Sequence, residues 1–262
     1  MPLSLPEKMS QKNTVLLIEP RKLPKTEVVL SEFQSKLGFE KWHYVFYCGR
    51  ESISYWRDLV HPQTELRELA VDNFPKACIY SDFMKQKWLW ESLHGEFVLT
   101  IQADTWPLNR EPYTIEHFMA MNKSYIGCAM NEHNAWPQLK RENWYLQHLN
   151  FNGGLSLRKR LDMIRVIEEF PPQPTSETDQ NLILEADAED VYFLIGCHRL
   201  GLPVSDDAQT VPFAVHLLFM EYAFGIHQPD PSIWPYVQDR FKEAVEKNPY
   251  LNPHTKVTVW KS

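Results

Sequence analysis

The sequence predicts an α/β fold, in which helices flank a mostly parallel central sheet. Residues 14–18, 44–47 and 97–101 are short, continuous apolar runs, which is the pattern of strands buried on both faces. Between the first two runs, apolar residues recur every four positions from Val29 to Leu37, the spacing of one helical face. A strand, a helix and a second strand in succession are typical of a parallel α/β sheet.

The rest of the first half has weaker patterns. A helix is expected around Glu65–Leu69, and another that begins at a cap on Ser81 or Asp82 and ends at Leu93. A further strand is expected over Tyr125–Met130, because this stretch is again short and apolar. These elements continue the alternation of strands and helices.

The second half begins with a polar, Trp-rich segment, residues 131–150, in which no period is visible. We expect a long loop or a small lid there, in which the stretch Trp136–Trp144 could stack on a sugar ring. The later elements are expected to be a turn and strand at 151–157, helices at 159–170 and 190–200, and an extended tail after Ile226. We therefore expect two halves of one domain, 10–130 and 131–262.

Composition and charge disfavour several classes of protein. With 44% hydrophobic and 23% charged residues, the chain is of ordinary globular composition. A formal net charge of −7 and the lack of a long basic run disfavour a nucleic-acid partner. No segment approaches the roughly 20 apolar residues of a membrane span, and we expect no signal peptide. The four cysteines form no Cys-x-x-Cys pair, so we expect free thiols and a cytoplasmic location.

One acidic residue follows a predicted buried strand. Asp104 comes just after the run at 97–101, at the carboxyl end of the strand, where α/β sheets bind their ligands. A carboxylate at that place can hold Mg²⁺ or Mn²⁺ against a diphosphate, because both ions prefer oxygen ligands. Taken alone, Asp104 could equally well cap the turn that follows.

Two other patterns contain ionisable residues. Glu189 and Asp190 precede an apolar helical stretch, where one can cap the helix while the other serves as a base. His227 stands between Gly225 and Pro229 on an expected tight loop, and its neutral imidazole can ligate a metal. Each pattern also has an ordinary explanation, a pair of capping acids and a structural histidine.

The stretch Asn152-Gly153-Gly154 could bring the backbone close to a ligand, as a phosphate loop does. It lacks the lysine of a P-loop and the Gly-x-Gly-x-x-Gly spacing of a dinucleotide site. P-loop hydrolysis and dinucleotide redox chemistry are therefore disfavoured.

Taken in order, these patterns resemble a GT-A glycosyltransferase. The resemblance is carried by Leu-Ile-Glu-Pro-Arg at 17–21, Gln-Ala-Asp at 102–104, Asn-Gly-Gly-Leu-Ser-Leu-Arg at 152–158, Glu-Asp-Val-Tyr at 189–192 and Gly-Ile-His at 225–227. More narrowly, the chain resembles a poorly characterised glycosyltransferase-like family of microbes, fungi and large viruses, from about Val15 to about Trp234. The implied fold is Rossmann-like, with a mostly parallel sheet and a mixed acceptor-side half.

The resemblance also implies roles for the acidic residues and the histidine. Asp190 would be the general base that takes the proton of the acceptor hydroxyl in an inverting transfer, and Glu189 would help to position the acceptor. Asp104 and His227 would hold Mn²⁺ or Mg²⁺. Gln102 replaces the first acid of the family's Asp-x-Asp motif, which leaves one metal-binding carboxylate where many relatives have two. The implied donor-binding residues are Glu19, Arg21, Gln102, Asp104, Asn152, Gly153 and Gly154.

The expected function is therefore transfer of a hexose from a nucleotide-sugar to a hydroxyl of a glycan or glycoconjugate, as in polysaccharide biosynthesis. A UDP-sugar is the expected donor because such donors are the commonest, although no residue here identifies the base. Two alternatives stay open. One is a non-catalytic carbohydrate- or nucleotide-binding protein on the same fold. The other is a sugar-nucleotide nucleotidyltransferase, whose Gly-rich signature after the first strand is missing at residues 19–24.

Overall fold

The computed structural model describes residues 12–130, 150–176 and 184–255. The loop or lid expected over 131–149, with its Trp136–Trp144 stretch, lies outside the described residues. None of the helices within the described ranges combines the length and the apolar composition that are needed to cross a bilayer.

Nine strands form two sheets in the described part of the chain. The strands are β1 (Asn13–Glu19), β2 (Trp42–Gly49), β3 (Thr64–Leu69), β4 (Phe97–Ile101), β5 (Thr105–Pro107), β6 (Tyr125–Ala129), β7 (Asn150–Lys159), β8 (Ala214–Val215) and β9 (Gly225–His227). The central sheet has the order β3-β2-β1-β4-β7-β6, and the smaller sheet has the order β5-β9-β8. Strands β1 to β4 are parallel, whereas β7 runs antiparallel to both of its neighbours.

Helices cover both faces of the central sheet. They are α1 (Thr26–Leu37), α2 (Ile53–Leu59), α3 (Ala77–Met84), α4 (Lys87–Glu91), α5 (Ile115–Ala120), α6 (Arg160–Glu169), α7 (Glu189–Arg199), α8 (Asp207–Thr210), α9 (Trp234–Arg240) and α10 (Lys242–Lys247), with 3₁₀ turns at Leu184–Ala186 and Pro249–Leu251. Strand β1 shows why its run is continuously apolar, because Val15 packs into the cluster on one face and Leu16 into the cluster on the other. The predicted α/β fold class, with a mostly parallel central sheet flanked by helices, is confirmed.

The expected helix at Glu65–Leu69 is wrong, because these residues form strand β3. Strand β3 pairs in parallel with β2, with Thr64 beside Tyr44 and Leu69 beside Gly49. It is the edge strand of the sheet, and its central residues are only partly buried. An edge strand tolerates polar side chains, so it lacks the continuous apolar pattern that marks β1, β2 and β4.

The helix expected to begin at Ser81 or Asp82 and to end at Leu93 is divided into α3 and α4. Neither residue is a cap, since both lie inside α3. The Asp82 carboxylate instead accepts hydrogen bonds from the backbone and hydroxyl of Thr175. The break falls at Lys85, whose fully buried ammonium donates to backbone carbonyls that include those of Gln173 and Asp187.

The tail after Ile226 is helical and is not the extended wrap that was expected. Helix α9 begins at Trp234, and the 3₁₀ turn begins at Pro249. Proline is well suited to the first turn of a helix, where its missing N–H is not needed, and both elements carry one there. Asn248 then donates its side-chain amide to the carbonyls of Ala103 and Thr105, so the tail fixes the turn that contains Asp104.

Candidate active site

Asp104 lies on the turn between β4 and β5, at the carboxyl end of the parallel sheet as predicted. Its side chain is almost completely buried, and Oδ1 has no hydrogen-bond partner among the described residues. Burial raises the pKa of this carboxyl to about 6, although its own backbone N–H and the nearby His216 and Arg21 act in the opposite direction. A buried carboxylate oxygen without a partner is costly unless a cation is bound to it.

His227 faces Asp104 from strand β9, and not from the tight loop that was expected. Pairing of Thr105 with His227 brings the imidazole to the turn, with Nε2 3.6 Å from Asp104 Oδ1. Nδ1 is 3.6 Å from the sulfur of Cys128, whose thiol donates to the Leu155 carbonyl. Because the thiol hydrogen is used there, we assign the imidazole proton to Nδ1, which leaves the Nε2 lone pair directed at Asp104.

Burial also lowers the pKa of His227 to about 3, so its imidazole is neutral at physiological pH. With the proton assigned to Nδ1, the Nε2 lone pair and a carboxylate oxygen face each other in the interior, and neither donates to the other. This pair fits a divalent cation, because Mn²⁺ accepts both imidazole and carboxylate ligands. Asp104 and His227 are the residues that would hold it.

A second histidine, His216, packs against His227, and no pattern in the sequence indicates it. The His216 ring stacks on His227, with ring centroids 5.0 Å apart and planes inclined by 22°. Its Nδ1 donates to the carbonyls of His227 and Gln228, at 2.9 and 3.1 Å. Burial, with a smaller contribution from His227, lowers the pKa of His216 to about 4. Both the ring and the backbone of His227 are thus fixed.

Glu189 and Asp190 form the first turn of α7, but neither is its cap, because Ala188 holds that position. The Oδ1 atom of Asp190 accepts the backbone N–H of Val191 at 2.9 Å. Burial raises the pKa of Asp190 to about 7, and the charge of Glu189 adds to the effect, against hydrogen bonds from the backbones of Val191 and Gly153. Asp190 therefore titrates near the pH at which a general base works best.

Glu189 is held by Arg158, a fully buried arginine of strand β7. The guanidinium binds both carboxylate oxygens, with Nη1–Oε2 at 2.5 Å and Nη2–Oε1 at 3.2 Å, and its Nε donates to Ser156. It also lies over the ring of Tyr125, 4.7 Å from the centroid. Glu189 is therefore engaged in an ion pair, which leaves Asp190 as the carboxylate of the two that is available to a substrate.

Asn152, Gly153 and Gly154 lie within strand β7, so the expected turn and the phosphate-loop interpretation are both wrong. Their glycines are needed for close packing. A Cβ on Gly154 would lie closer than 3.0 Å to His227 and Gln102. One on Gly153 would lie equally close to the side chains of Arg158 and Glu189. Gly153 therefore lies against Glu189 and Asp190, and the next residue of β7, Gly154, lies against His227. The two parts of the candidate site meet at these consecutive glycines.

A pocket of about 280 Å³ lies beside Asp104. It is lined by Ile18, Glu19, Pro20, Arg21, Asn73, Phe74, Tyr80, Gln102, Ala103, Asp104 and Gln228. Glu19 and Arg21 form a two-point ion pair in its wall, with both N–O distances at 2.7 Å. Asn73, Phe74 and Tyr80 were not predicted, because nothing in the pattern around β3 indicates a site.

Asp190 is outside the lining of this pocket but is linked to it through Tyr80. The phenol of Tyr80 hydrogen-bonds Gln102, and its pKa is raised by burial and then by the charge of Glu189, with a smaller effect from Asp190. The position that lacks the first acid of the metal motif, Gln102, therefore joins the pocket to the start of α7.

Residues 63–228 match the protein family described as "Protein of unknown function (DUF5672)", which is well over half of the chain. The chain belongs to this family. No curated protein is detectably similar to it in sequence. Among solved structures, the mannosyltransferase PcManGT from Pyrobaculum calidifontis in complex with GDP-Man and Mn²⁺ is similar, with 13% identity and a TM-score of 0.46, over 94% of this chain and 70% of that chain.

The DUF5672 match includes Asp104, Asp190 and His227, whereas the pocket residues Glu19 and Arg21 precede it. The family description names no activity, so function has to be argued from the chemistry of the site itself.

Proposed function

We propose that this chain is a glycosyltransferase that moves a hexose from a nucleotide-sugar to a hydroxyl of a glycan or glycoconjugate. The observation that carries the proposal is the buried Asp104 Oδ1, which faces the Nε2 of neutral His227 at the carboxyl end of the sheet. A second buried carboxylate, on Asp190, lies beside Gly153 of β7, and the neighbouring Gly154 lies beside His227. A metal-dependent, inverting glycosyl transfer uses both parts, a cation at the diphosphate and a base at the acceptor.

The donor would bind in the pocket between β1, β3 and the Asp104 turn. In this arrangement residues 10–130 supply Glu19, Arg21 and Asp104, and residues 131–262 supply Asp190 and His227. A divalent ion, Mn²⁺ or Mg²⁺, would neutralise the charge that develops on the departing diphosphate. A UDP-sugar is the first donor to test.

Asp190 would act as the general base of a single, inverting displacement. The acceptor oxygen forms a bond to the anomeric carbon while the bond from that carbon to the diphosphate oxygen breaks, and the hydroxyl proton passes to the Asp190 carboxylate. Support comes from the ion pair of Glu189 with Arg158, because both guanidinium contacts to a carboxylate here go to Glu189, whereas burial and the Glu189 charge raise the pKa of Asp190 despite the opposing charge of Arg158. A base with a pKa near the working pH is the most effective kind.

The experiment is an assay for released nucleoside diphosphate, with UDP-, TDP- and GDP-sugars and with and without a chelator. We expect release from at least one donor, stimulated by an acceptor and suppressed by the chelator. Calorimetric binding of a donor without any release would favour the non-catalytic alternative, and formation of pyrophosphate would favour a nucleotidyltransferase. No release and no binding would refute the glycosyltransferase.

A cytoplasmic location is part of the same proposal. It is supported by Cys48, Cys128 and Cys197, which are buried and form no disulfide. Unpaired thiols are the normal state of cysteine in a reducing compartment.

A further inference from the structure

Three side chains with metal-binding groups meet at the edge of the central sheet opposite the candidate active site. They are His43 near the amino end of β2, Glu65 near the amino end of β3, and His94 between α4 and β4. One ligand atom from each lies within 4.8 Å of the other two. His43 Nε2 is 2.6 Å from Glu65 Oε2, and the rings of the two histidines are 5.4 Å apart.

The sheet register fixes this meeting. Glu65 pairs with Val45, and Val45 shares a strand face with His43, so the His43 and Glu65 side chains project to the same side of the sheet. The backbone of His94 is held at both its N–H and its C=O by the hydroxyl of Thr14. Thr14 is the residue of β1 that pairs with His43.

The Glu65 carboxylate is also oriented by a hydrogen bond from Arg67. Arg67 Nε donates to Glu65 Oε1 at 2.6 Å, which leaves Oε2 turned towards the imidazoles. The guanidinium is itself anchored, since Nη1 donates to Tyr47 and to Ser92, at 2.8 and 2.7 Å, and Nη2 donates to the Ser92 carbonyl. A ligand carboxylate that is held by a second hydrogen-bonded group is a usual feature of protein metal sites.

We propose that His43, Glu65 and His94 bind a divalent transition-metal ion of the zinc type, independently of the Asp104–His227 pair. Two imidazoles and one carboxylate form a ligand set that zinc accepts, with water in the fourth position. The ion takes the place of the proton shared by His43 and Glu65, and that proton leaves to solvent. The exposed His94 side chain has room to close the ligand shell. Such an ion ties edge strand β3 to β2 and to the α4–β4 turn.

The test is a Zn²⁺ titration of the full chain without a histidine tag, stripped of metal beforehand and competed against a chromophoric chelator. Zn²⁺ alone is the probe, and the titration is repeated in Asp104→Asn so that the candidate active site is separated from this one. We expect the Asp104→Asn protein to bind one Zn²⁺ at this site with a micromolar or tighter Kd, and the further variants are made in that background because the natural chain offers a second place for the ion at Asp104 and His227. His94→Ala should weaken binding at least about tenfold, which corresponds to about 1.4 kcal/mol.

His61→Ala is the matched control, because His61 is an exposed histidine whose Nδ1 accepts only a local backbone hydrogen bond from Gln63. It should bind Zn²⁺ like the Asp104→Asn parent protein. In the Asp104→Asn background, added Zn²⁺ should raise the Tm of the parent protein and of His61→Ala but not of His94→Ala, because binding to the folded state alone stabilises it. No Zn²⁺ binding below about 100 μM, or unchanged binding in His94→Ala, would overturn the proposal and leave His43 and Glu65 as a hydrogen-bonded pair only.

Discussion

Glu189 and Asp190 are adjacent in the sequence, and their partners give them different chemistry. Arg158 binds both oxygens of Glu189 in a buried ion pair. Asp190 instead accepts backbone N–H donors, and its pKa is raised to about 7 by burial and the charge of Glu189, against smaller opposing effects of those N–H donors and of the Arg158 charge. A buried carboxyl whose pKa is raised towards neutral, as that of Asp190 is, is suited to act as a general base.

Asp190→Asn should lower kcat by about 10²–10⁴-fold, since an amide of the same size cannot take the acceptor proton. Donor affinity should change little, because Asp190 lies outside the lining of the donor pocket. The checks are nucleoside diphosphate release and donor calorimetry, with the exposed Asp239→Asn on α9 as control. In the natural chain kcat/KM should increase with pH and level off above about 7, because protonation disables the base. Near-normal transfer by Asp190→Asn would show that the base is elsewhere.

Asp104→Ala should weaken donor binding mainly when Mn²⁺ is present. The reason is that Asp104 Oδ1, unpartnered among the described residues and 3.6 Å from His227 Nε2, is expected to reach the diphosphate through the ion. We expect a loss of at least about tenfold, the lower end of the effect of altering a metal site's supporting groups. Calorimetry measures the donor affinity once with Mn²⁺ and once with a chelator. An equal loss of donor affinity under both conditions would indicate that Asp104 contacts the donor directly.

At the scale of elements, the strands that could be predicted are those buried on both faces. Strands β1, β2 and β4 have continuous apolar runs because helices cover both sides of them, whereas edge strand β3 has polar residues and was taken for a helix. The same distinction applies to the site.

The residues that could be predicted stand at the ends of elements, and they are Asp104, Asp190 and His227. The residues that could not be predicted act through contacts between elements that are distant in the sequence, and no local spacing indicates such contacts. They are Arg158, His216 and Tyr80.

Strand β7 permits a prediction about its two glycines, which point to opposite faces of the strand. Gly154→Ala places a Cβ against His227 and Gln102, so it should impair metal-dependent donor binding. Gly153→Ala places one against Arg158 and Glu189, so it should lower kcat and leave donor binding closer to normal. Each overpacking should also cost about 1–3 kcal/mol of stability.

Thermal melts show whether each glycine variant folds, and calorimetry with Mn²⁺ together with kcat separates their effects. The two variants serve as controls for each other, since they add the same methyl group to consecutive residues. Identical losses of donor binding and kcat in both would show that β7 does not divide the site into a metal side and a base side.

The buried carboxyls of the candidate site lower the free energy of unfolding of the protein when they are ionised. Burial raises the pKa of Asp104 to about 6 and of Asp190 to about 7, from an unfolded value near 3.8. A carboxyl whose folded pKa is raised is destabilising once it must ionise, so the cost begins as pH rises above about 4 and is complete above about 7. Each such shift corresponds to a few kcal/mol at most.

Asp104→Asn and Asp190→Asn should therefore each be more stable than the natural chain at pH 8, with a gain that shrinks towards pH 4. The buried histidines have lowered pKa values that destabilise the fold as pH falls below about 6.5, and they remain in all three proteins. Because the Asp104 charge also raises the pKa of His216, the comparison is read above pH 6.5, where both histidines are neutral. Denaturant unfolding from pH 4 to pH 8 without metal measures the gain, with Asp239→Asn as the exposed control. Adding Mn²⁺ at pH 8 should stabilise the natural chain and Asp190→Asn more than Asp104→Asn. A gain that does not vary with pH would mean that the two carboxylates do not carry this ionisation cost.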